Sequence, residues 1–196
     1  SSEFFPLEKT ALDLCDGYVL EVGAGVGSHA LFLQENGFMV MANDIAEGAV
    51  DVMSARGVRE VHCGPILDMP RGAFDTLLLL GRSIGLVEDL EGLRRFLRKS
   101  STLVRSSGQM LLTSLDVTVT DDPKFQAYQD RNSAEGRYPG EIRFRMRYAN
   151  LESDWIKWLH VDPGTLARCA LEEGWVSETV ATESDGNYLA RLIRAP

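Results

Sequence analysis

The sequence predicts a doubly wound α/β fold around a seven-stranded, mostly parallel sheet. Three observations carry that expectation. Short β-branched or aliphatic runs alternate with helix-sized segments along most of the chain, and parallel strands need such crossovers. The run Phe74 to Leu80 (FDTLLLL) is apolar on both faces, as a strand in the middle of a parallel sheet is. A glycine-dense turn, Gly23-Ala24-Gly25-Val26-Gly27, separates the first strand-like run from the helix-like segment after it. Ligands of such folds sit at the carboxyl ends of the strands, so informative residues should follow strands one to four.

The elements follow in order. After Pro6, the spacing of Leu7, Ala11, Leu12 and Leu14 predicts a short helix over Leu7 to Cys15. Tyr18 to Val22 is an apolar run that stops at glycines, so it reads as strand one. Ser28 is placed to cap a helix running to about Asn36, and Gly37 to end it in a left-handed turn. Phe38 to Ala42 is strand two, with Asn43-Asp44 at its carboxyl end; residues 46–56 are a helix closed by Gly57. Val58 to Cys63 and Phe74 to Leu80 are strands three and four, and Leu90 to Val104 is an amphipathic helix ending near Gly108. Gln109 to Leu115 is strand five; Pro163 to Glu173 is a helix, and Trp175 to Val180 and Tyr188 to Ile193 are the last strands. The elements fit a single domain over 1–196.

Composition bounds the function. A chain of 196 residues, 44% hydrophobic and 25% charged, buries a core without disulfide or metal support. Its net charge of −9 argues against nucleic-acid and anionic-membrane partners, which bind through clustered Lys and Arg. Cys15, Cys63 and Cys169 lie far apart, as free thiols of a reducing cytoplasm do. His29, His62 and His160 have no metal-ligand spacing, so no metal is expected. No run approaches the roughly 20 apolar residues of a membrane helix, and no signal peptide is visible. The opening Ser1-Ser2 without a Met suggests a trimmed start.

The glycine turn is where chemistry concentrates. Glycines let the main chain turn sharply and approach a ligand without Cβ obstruction, and the following helix points free N–H groups at the loop. Glu21 leads the loop, and Asp44 ends the next strand, where a carboxylate can accept both hydroxyls of a ribose. The competing reading is that Asp44 merely caps the helix starting near Ala46, and that Glu21 is satisfied by loop amides.

The run VLEVGAGVGSHALFLQENGFMVMANDIAEGAVDVMSARGV resembles the E/D-x-G-x-G-x-G loop and following acidic motif of class I, Rossmann-like S-adenosylmethionine (SAM)-dependent methyltransferases of the small-molecule type. Nicotinamide enzymes usually carry G-x-G-x-x-G; here Glu21 supplies the leading acid, and Ser28 stands where the dinucleotide pattern has its last glycine. The likeness extends from about Tyr18 to Asp116 and through the final helix and strands. It implies that Glu21 and the main chain of Gly23, Ala24, Gly25 and Gly27 hold the methionine part of SAM. Asp44 would then hold the ribose and Ile45 would pack on the adenine. One departure stands out: Pro65 occupies the place of the family's frequent Asp after strand three. Adenine recognition then falls to the main chain of Ile66 and Leu67, or to Asp68. Gly81-Arg82-Ser83-Ile84-Gly85 follows strand four, where the family exposes residues beside the transferring methyl; Gly81 and Ser83 are assigned to cofactor and Arg82 to acceptor. A tight turn is the competing reading of that loop.

The long stretch 116–162 exceeds what a doubly wound unit needs between strand five and its last helix. Glu141 to Tyr148 (EIRFRMRY) and Trp155 to Val161 (WIKWLHV) alternate, and Asn150 to Asp154 can turn between them, predicting a β-hairpin insertion. Pro123 to Asn132 predicts a short helix, joined to the hairpin by the turn Gly136 to Glu141. As a lid, this segment would bring Arg131, Arg137, Arg143, Arg145 and Arg147 to an acceptor carboxylate or phosphate. As an ordinary hairpin it would show them to solvent. Tyr128, Tyr138 and His160 are the candidate proton acceptors, against structural roles for each. The expected reaction moves a methyl group from SAM to an O, N or C nucleophile of a small, anionic acceptor, in a monomer or homodimer, with S-adenosylhomocysteine (SAH) as product. The alternatives are an NAD(P)-dependent oxidoreductase and a non-catalytic cofactor-binding domain.

Overall fold

A computed structural model describes residues 4–195; Ser1-Ser2 lie outside them. The order of elements is α1 (Pro6–Asp13), β1 (Tyr18–Val22), α2 (Ser28–Glu35), β2 (Met39–Asp44), α3 (Glu47–Arg56), β3 (Glu60–Cys63), β4 (Phe74–Leu79), α4 (Leu90–Ser100) and β5 (Val104–Leu115). It continues with α5 (Pro123–Ala134), β6 (Glu141–Phe144), β7 (Arg147–Tyr148), β8 (Leu151–Glu152), β9 (Ile156–Leu159), α6 (Pro163–Glu172), β10 (Trp175–Thr182) and β11 (Asn187–Arg194). Seven strands form one sheet in the order β10-β11-β5-β4-β1-β2-β3, and only β11 runs against its neighbours. The doubly wound, mostly parallel sheet is as the sequence predicts. The strand order reverses between β1 and β4, which puts the crevice for a ligand at their carboxyl ends.

Side-chain alternation explains the double winding. In β4, Leu77 and Leu79 join the core layer of Leu93, Phe96, Leu97, Leu166 and Cys169, under α4 and α6. Leu78 and its neighbour Leu80 join the other layer with Leu7, Ala11, Ala30, Leu33 and Met53, under α1 to α3. Consecutive residues pointing to opposite faces, both apolar, force helices onto both sides of the sheet. The indole of Trp175 donates to Leu97 O at 3.0 Å, so even this buried ring leaves no polar atom unpaired.

Several boundaries differ from the sequence reading for local reasons. α4 ends at Ser100, not Val104, because Ser100, Ser101 and Thr102 return their hydroxyls to carbonyls of the last turn. Val104, buried like Leu103 before it, then starts a longer β5. β2 extends through Asp44 because Asn43 and Asp44 pair with His62 and Cys63 of β3, and β3 begins only at Glu60 because Val58 closes the left-handed turn at Gly57. The cap of α2 is Gly27 in a left-handed conformation, with Ser28 as the first helical residue and not the cap.

The insertion holds the predicted helix and hairpin, but the hairpin is stepped. β6 pairs with β9 from Glu141↔Leu159 to Phe144↔Ile156, and β7 pairs with β8 at Arg147↔Glu152, one residue out of step. Ser153 fills the step by exchanging hydrogen bonds with Met146. The turn falls at Ala149-Asn150, not Asn150 to Asp154, with Ala149 at φ 51°. A non-glycine in that conformation gives no sequence signal for the tight turn.

Candidate functional site

The β1–α2 loop is built from both its neighbours. Gly23 N and Ala24 N donate to Asn43 O at 2.9 and 3.0 Å, pinning the loop to the end of β2. Asn43 itself, not singled out in the sequence, donates from Nδ2 to Gly64 O at 2.9 Å and so ties in the end of β3. Two glycines are required for different reasons. A Cβ on Gly27 would lie 2.9 Å from Met53 and Val58, so close packing of α2 excludes any side chain there. A Cβ on Gly25 would meet nothing within 4 Å, yet its φ is 57°. The space over Gly25 is open, as a main-chain approach by a ligand requires.

Asp44 ties the glycine loop to the start of α3. Its Oδ2 accepts from Gly25 N and its Oδ1 from Ala46 N, each at 2.9 Å. The second bond fixes the entry to α3; the first holds the carboxylate at the rim of the loop, with lone pairs on both oxygens left over. The next residue, Ile45, is 70% exposed, and Leu67 is 44% exposed. Ile66 is buried in the core, and Pro65 and Asp68 are exposed.

Glu21 is 2% exposed. Its Oε1 lies 2.9 Å from Nδ1 of His29, and its Oε2 has no partner. Loop amides do not satisfy it; a histidine of α2 does. The Nε2 of His29 lies 3.6 Å from Glu8 of α1. Burial alone would lower the basicity of His29, but the hydrogen bond and charge of Glu21, with that of Glu8, raise it overall. His29 was missed in the sequence because the acid it serves lies on another element. The unpartnered Oε2 of so buried a carboxylate is a ready acceptor for an ammonium group.

After β4, Gly81 is exposed, Arg82 is half-buried and Ser83 is buried. Ser83 Oγ lies 2.7 Å from Leu80 O and 3.2 Å from Val22 O, so it braces the two loops and its hydroxyl is already committed. Arg82 adopts φ 63°, with its N–H on Thr113 Oγ1 at 3.0 Å and its Nε on Asn187 Oδ1 at 2.7 Å.

Two pockets meet at Arg82. One, of about 400 Å³, lies between α1 and the β5–β11 edge and is lined by Leu7, Glu8, Gly81, Thr113 and Asn187. The other, of about 380 Å³, lies under the insertion and is lined by Val117, Phe125, Tyr128, Ile142 and His160. His160 has a buried Nδ1 without a partner, and burial, with the charge of Arg82, lowers its pKa to about 4. It is neutral near pH 7. Tyr128 also lines this pocket, its hydroxyl accepting from Arg143 N at 3.1 Å. Tyr138 does not: its hydroxyl donates to Asp162 Oδ2 at 2.5 Å and accepts from Asp162 N at 2.9 Å. Burial, then the bond to Asp162, pushes its acidity well out of reach.

The arginines of the insertion are not brought to that pocket. Arg145 and Arg147 both pair with Glu152, at 2.6 and 2.8 Å, and Arg145 also lies over the Trp155 ring. Arg131 and Arg143 are exposed, and Arg137 is engaged by Glu135 and Asn132. The step in the hairpin breaks the single face on which alternation had set them. Among the described residues no cluster of His, Cys, Asp and Glu is arranged to hold a metal. Cys15, Cys63 and Cys169 are free thiols, and no helix is long and apolar enough to cross a membrane.

A family model described as a methyltransferase domain matches residues 20–112. The chain also superposes on a SAM-dependent methyltransferase from Bacteroides fragilis in complex with SAH, at 36% identity and a TM-score of 0.86. That match covers 99% of this chain and 79% of the other. The chain belongs to the SAM-dependent methyltransferases. A Pyrococcus horikoshii protein shares the fold at 15% identity and a TM-score of 0.70, covering 96% of this chain and 87% of that one. The CcbJ methyltransferase from Streptomyces caelestis does so at 12% identity and 0.71, covering 97% and 90%. No curated protein matches the sequence.

The protein is thus an enzyme of methyl transfer with SAM as cofactor, and the nicotinamide and non-catalytic alternatives fall away. The residues present are compatible with that cofactor: the space over Gly25 is open, a buried oxygen of Glu21 is unpartnered, Asp44 keeps spare lone pairs, and Ile45 and Leu67 are exposed.

Proposed function

We propose that this methyltransferase modifies a small molecule bound in the pocket between Arg82 and the 116–162 insertion. The observation that carries the reading is the position of that largely apolar, 380 Å³ pocket, which begins at Arg82 in the loop after β4, beside Ser83, which braces that loop against β1. Its size suits a small ligand better than a folded macromolecule. On this reading 1–196 acts as one domain, with the insertion as its acceptor-side wall.

Glu21 and the main chain of Gly23, Ala24, Gly25 and Gly27 hold the methionine part of SAM, and Asp44 accepts from the ribose hydroxyls. Ile45 and Leu67 flank the adenine, with the Ile66 main chain beside them, and Gly81 leaves room at the methyl end. The sulfonium supplies an activated methyl group, so the chain need only align the nucleophile and keep water away. When the nucleophile is an O–H or N–H, the neutral His160 is the pocket's candidate proton acceptor. Tyr128 lies within the same wall, with its hydroxyl already bonded to the Arg143 amide.

Two measurements test this. Calorimetry should show SAH binding to the purified protein. A SAH-release screen should then give turnover with a small-molecule acceptor and none with peptides or nucleic acid. Turnover only on a macromolecule would remove the small-molecule reading while leaving the cofactor assignment in place.

A further inference from the structure

We infer that the pocket under the insertion is specific for an anionic acceptor with an apolar body, and that Arg82 is the residue that recognises the anion. This inference rests on the proposal that the pocket receives the acceptor. The sequence assigned Arg82 to the acceptor together with the arginines of the insertion.

Arg82 is the one Arg or Lys among the residues lining the pocket. Several other arginines of this acidic chain are taken up by acids: Arg145 and Arg147 share Glu152, and Arg94, Arg98, Arg105 and Arg191 each face a carboxylate. Among the described residues Arg82 forms no ion pair; Nε donates to the neutral Asn187, and no hydrogen bond engages the two terminal nitrogens. Those nitrogens form the planar fork that suits a carboxylate.

The pocket also contains two acids, Asp116 and Asp185. Neutral donors hold both in place without removing their charge, so an anion entering the pocket has to be received by Arg82 and kept from them. Asp116 accepts from Thr118 N and Oγ1 at 2.9 and 2.6 Å. Asp185 accepts from Asn187 N and Nδ2 at 3.1 and 2.6 Å. Asn187 thus stands between Asp185 and Arg82, using its amide nitrogen on one and its oxygen on the other. The guanidinium is oriented by a neutral group and keeps its charge for a ligand.

The backbone supports the same assignment. Arg82 holds φ 63° and ψ 24°, a left-handed conformation that a non-glycine adopts at a cost. The bond from its N–H to Thr113 fixes that conformation, and the side chain is thereby aimed between the two pockets. Much of the remaining wall is apolar, from Leu115, Val117, Phe125, Pro139 and Ile142, and suits a ring or branched chain. The acceptor class is accordingly a small aromatic or branched aliphatic acid.

The probes are 3-phenylpropanoate, its neutral amide and 3-phenylpropylamine, each titrated by ligand-observed NMR into the protein saturated with SAH. Prior calorimetry with SAH alone checks the cofactor reading separately; failure there counts against that reading. In the SAH complex the carboxylate should bind at least tenfold more tightly than the amide or the amine. Arg82→Ala should abolish that preference with less than a threefold change in SAH affinity, which also reports an intact fold, and Arg82→Lys should restore part of it. Equal binding of acid and amide, preference for the amine, or an Arg82→Ala variant that keeps the preference would each overturn the inference. Loss of SAH binding in both Arg82 variants would do so too, by assigning the side chain to the cofactor.

Discussion

The imidazole of His29 joins the acid that leads the glycine loop to the N-terminal helix: Nδ1 lies 2.9 Å from Glu21, and Nε2 lies 3.6 Å from Glu8. α1 is therefore attached to the cofactor loop by charge as well as by packing. The pKa of His29 is raised in the fold, with Glu21 and Glu8 outweighing burial. A raised histidine stabilises the folded state fully below its unfolded value of about 6.5, and the benefit fades as pH rises through the folded value. His29→Gln should lower stability by roughly 1–3 kcal/mol near pH 6, the range for hydrogen bonds to charged groups. Urea melts of both proteins at pH 6 and pH 9 check this. The gap should be wider at pH 6; a gap independent of pH would mean that His29 is not charged in the fold.

Asp44 is separable into its two tasks. Asp44→Ala removes the bond to Ala46 N and the bond to Gly25 N, so it should lower both stability and SAH affinity. Asp44→Asn keeps an oxygen for one main-chain N–H but loses the charge. It should fold nearly normally and still lose about 1.5–3 kcal/mol of SAH binding by calorimetry. Undiminished affinity in the Asn variant would leave Asp44 as a structural cap alone.

Gly25 offers a sharper test than the other loop glycines because nothing in the protein occupies the space its Cβ would take. Gly25→Ala should therefore cost only about 1 kcal/mol of stability, from the positive φ. It should weaken SAH binding at least tenfold, since the methyl group would enter the space left for the ligand. Gly27→Ala should do the reverse, disturbing Met53 and Val58 and lowering the melting temperature first.

Much of the fold was legible because its signals are local. FDTLLLL announces a strand buried on both faces, and Leu77 and Leu78 do belong to opposite core layers. The glycine loop, Glu21 and Asp44 were legible because spacing along one βαβ unit carries them. The rest depends on contacts that no short stretch contains. His29 meets Glu8 and Glu21 across two elements, and Asn187 meets Arg82 across a separation of 105 residues. The arginine face of the hairpin misled for a related reason. Alternation holds only while the ladder is regular, and the one-residue step at Met146 and Ser153 cannot be read from residue types.

Trp158 locks the insertion to the body of the enzyme. Gly85, buried beside it, leaves so little room that a Cβ would sit 1.9 Å from the indole nitrogen. Gly85→Ala should push the ring away and cost roughly 1–3 kcal/mol, as overpacking does. Hydrogen exchange should quicken over 141–159 while β1 and β4 stay protected. Uniform loosening of the whole sheet would show that the insertion does not move as a unit.

Tyr138 distinguishes a bracing hydroxyl from a catalytic one. Its O–H donates to the Asp162 carboxylate and accepts from the Asp162 main-chain N–H, while the other carboxylate oxygen caps α6 through Thr165 N at 2.9 Å. The hydroxyl thus ties the turn before β6 to the start of α6 and closes the base of the insertion. Its one proton and one of its lone pairs are both used within the protein, so the expected role of this hydroxyl is bracing. Tyr138→Phe keeps the ring but leaves the buried end of Asp162 with an unmatched N–H, a loss of about 1–3 kcal/mol. Thermal unfolding should register that loss, while kcat for any acceptor that turns over should stay within a few-fold. His160→Asn should behave in the opposite way, folding normally and losing about a hundredfold or more in kcat with an O–H or N–H acceptor. If Tyr138→Phe instead removes turnover at full stability, the proton acceptor has been placed on the wrong side chain, and the bond to Asp162 must break when substrate binds.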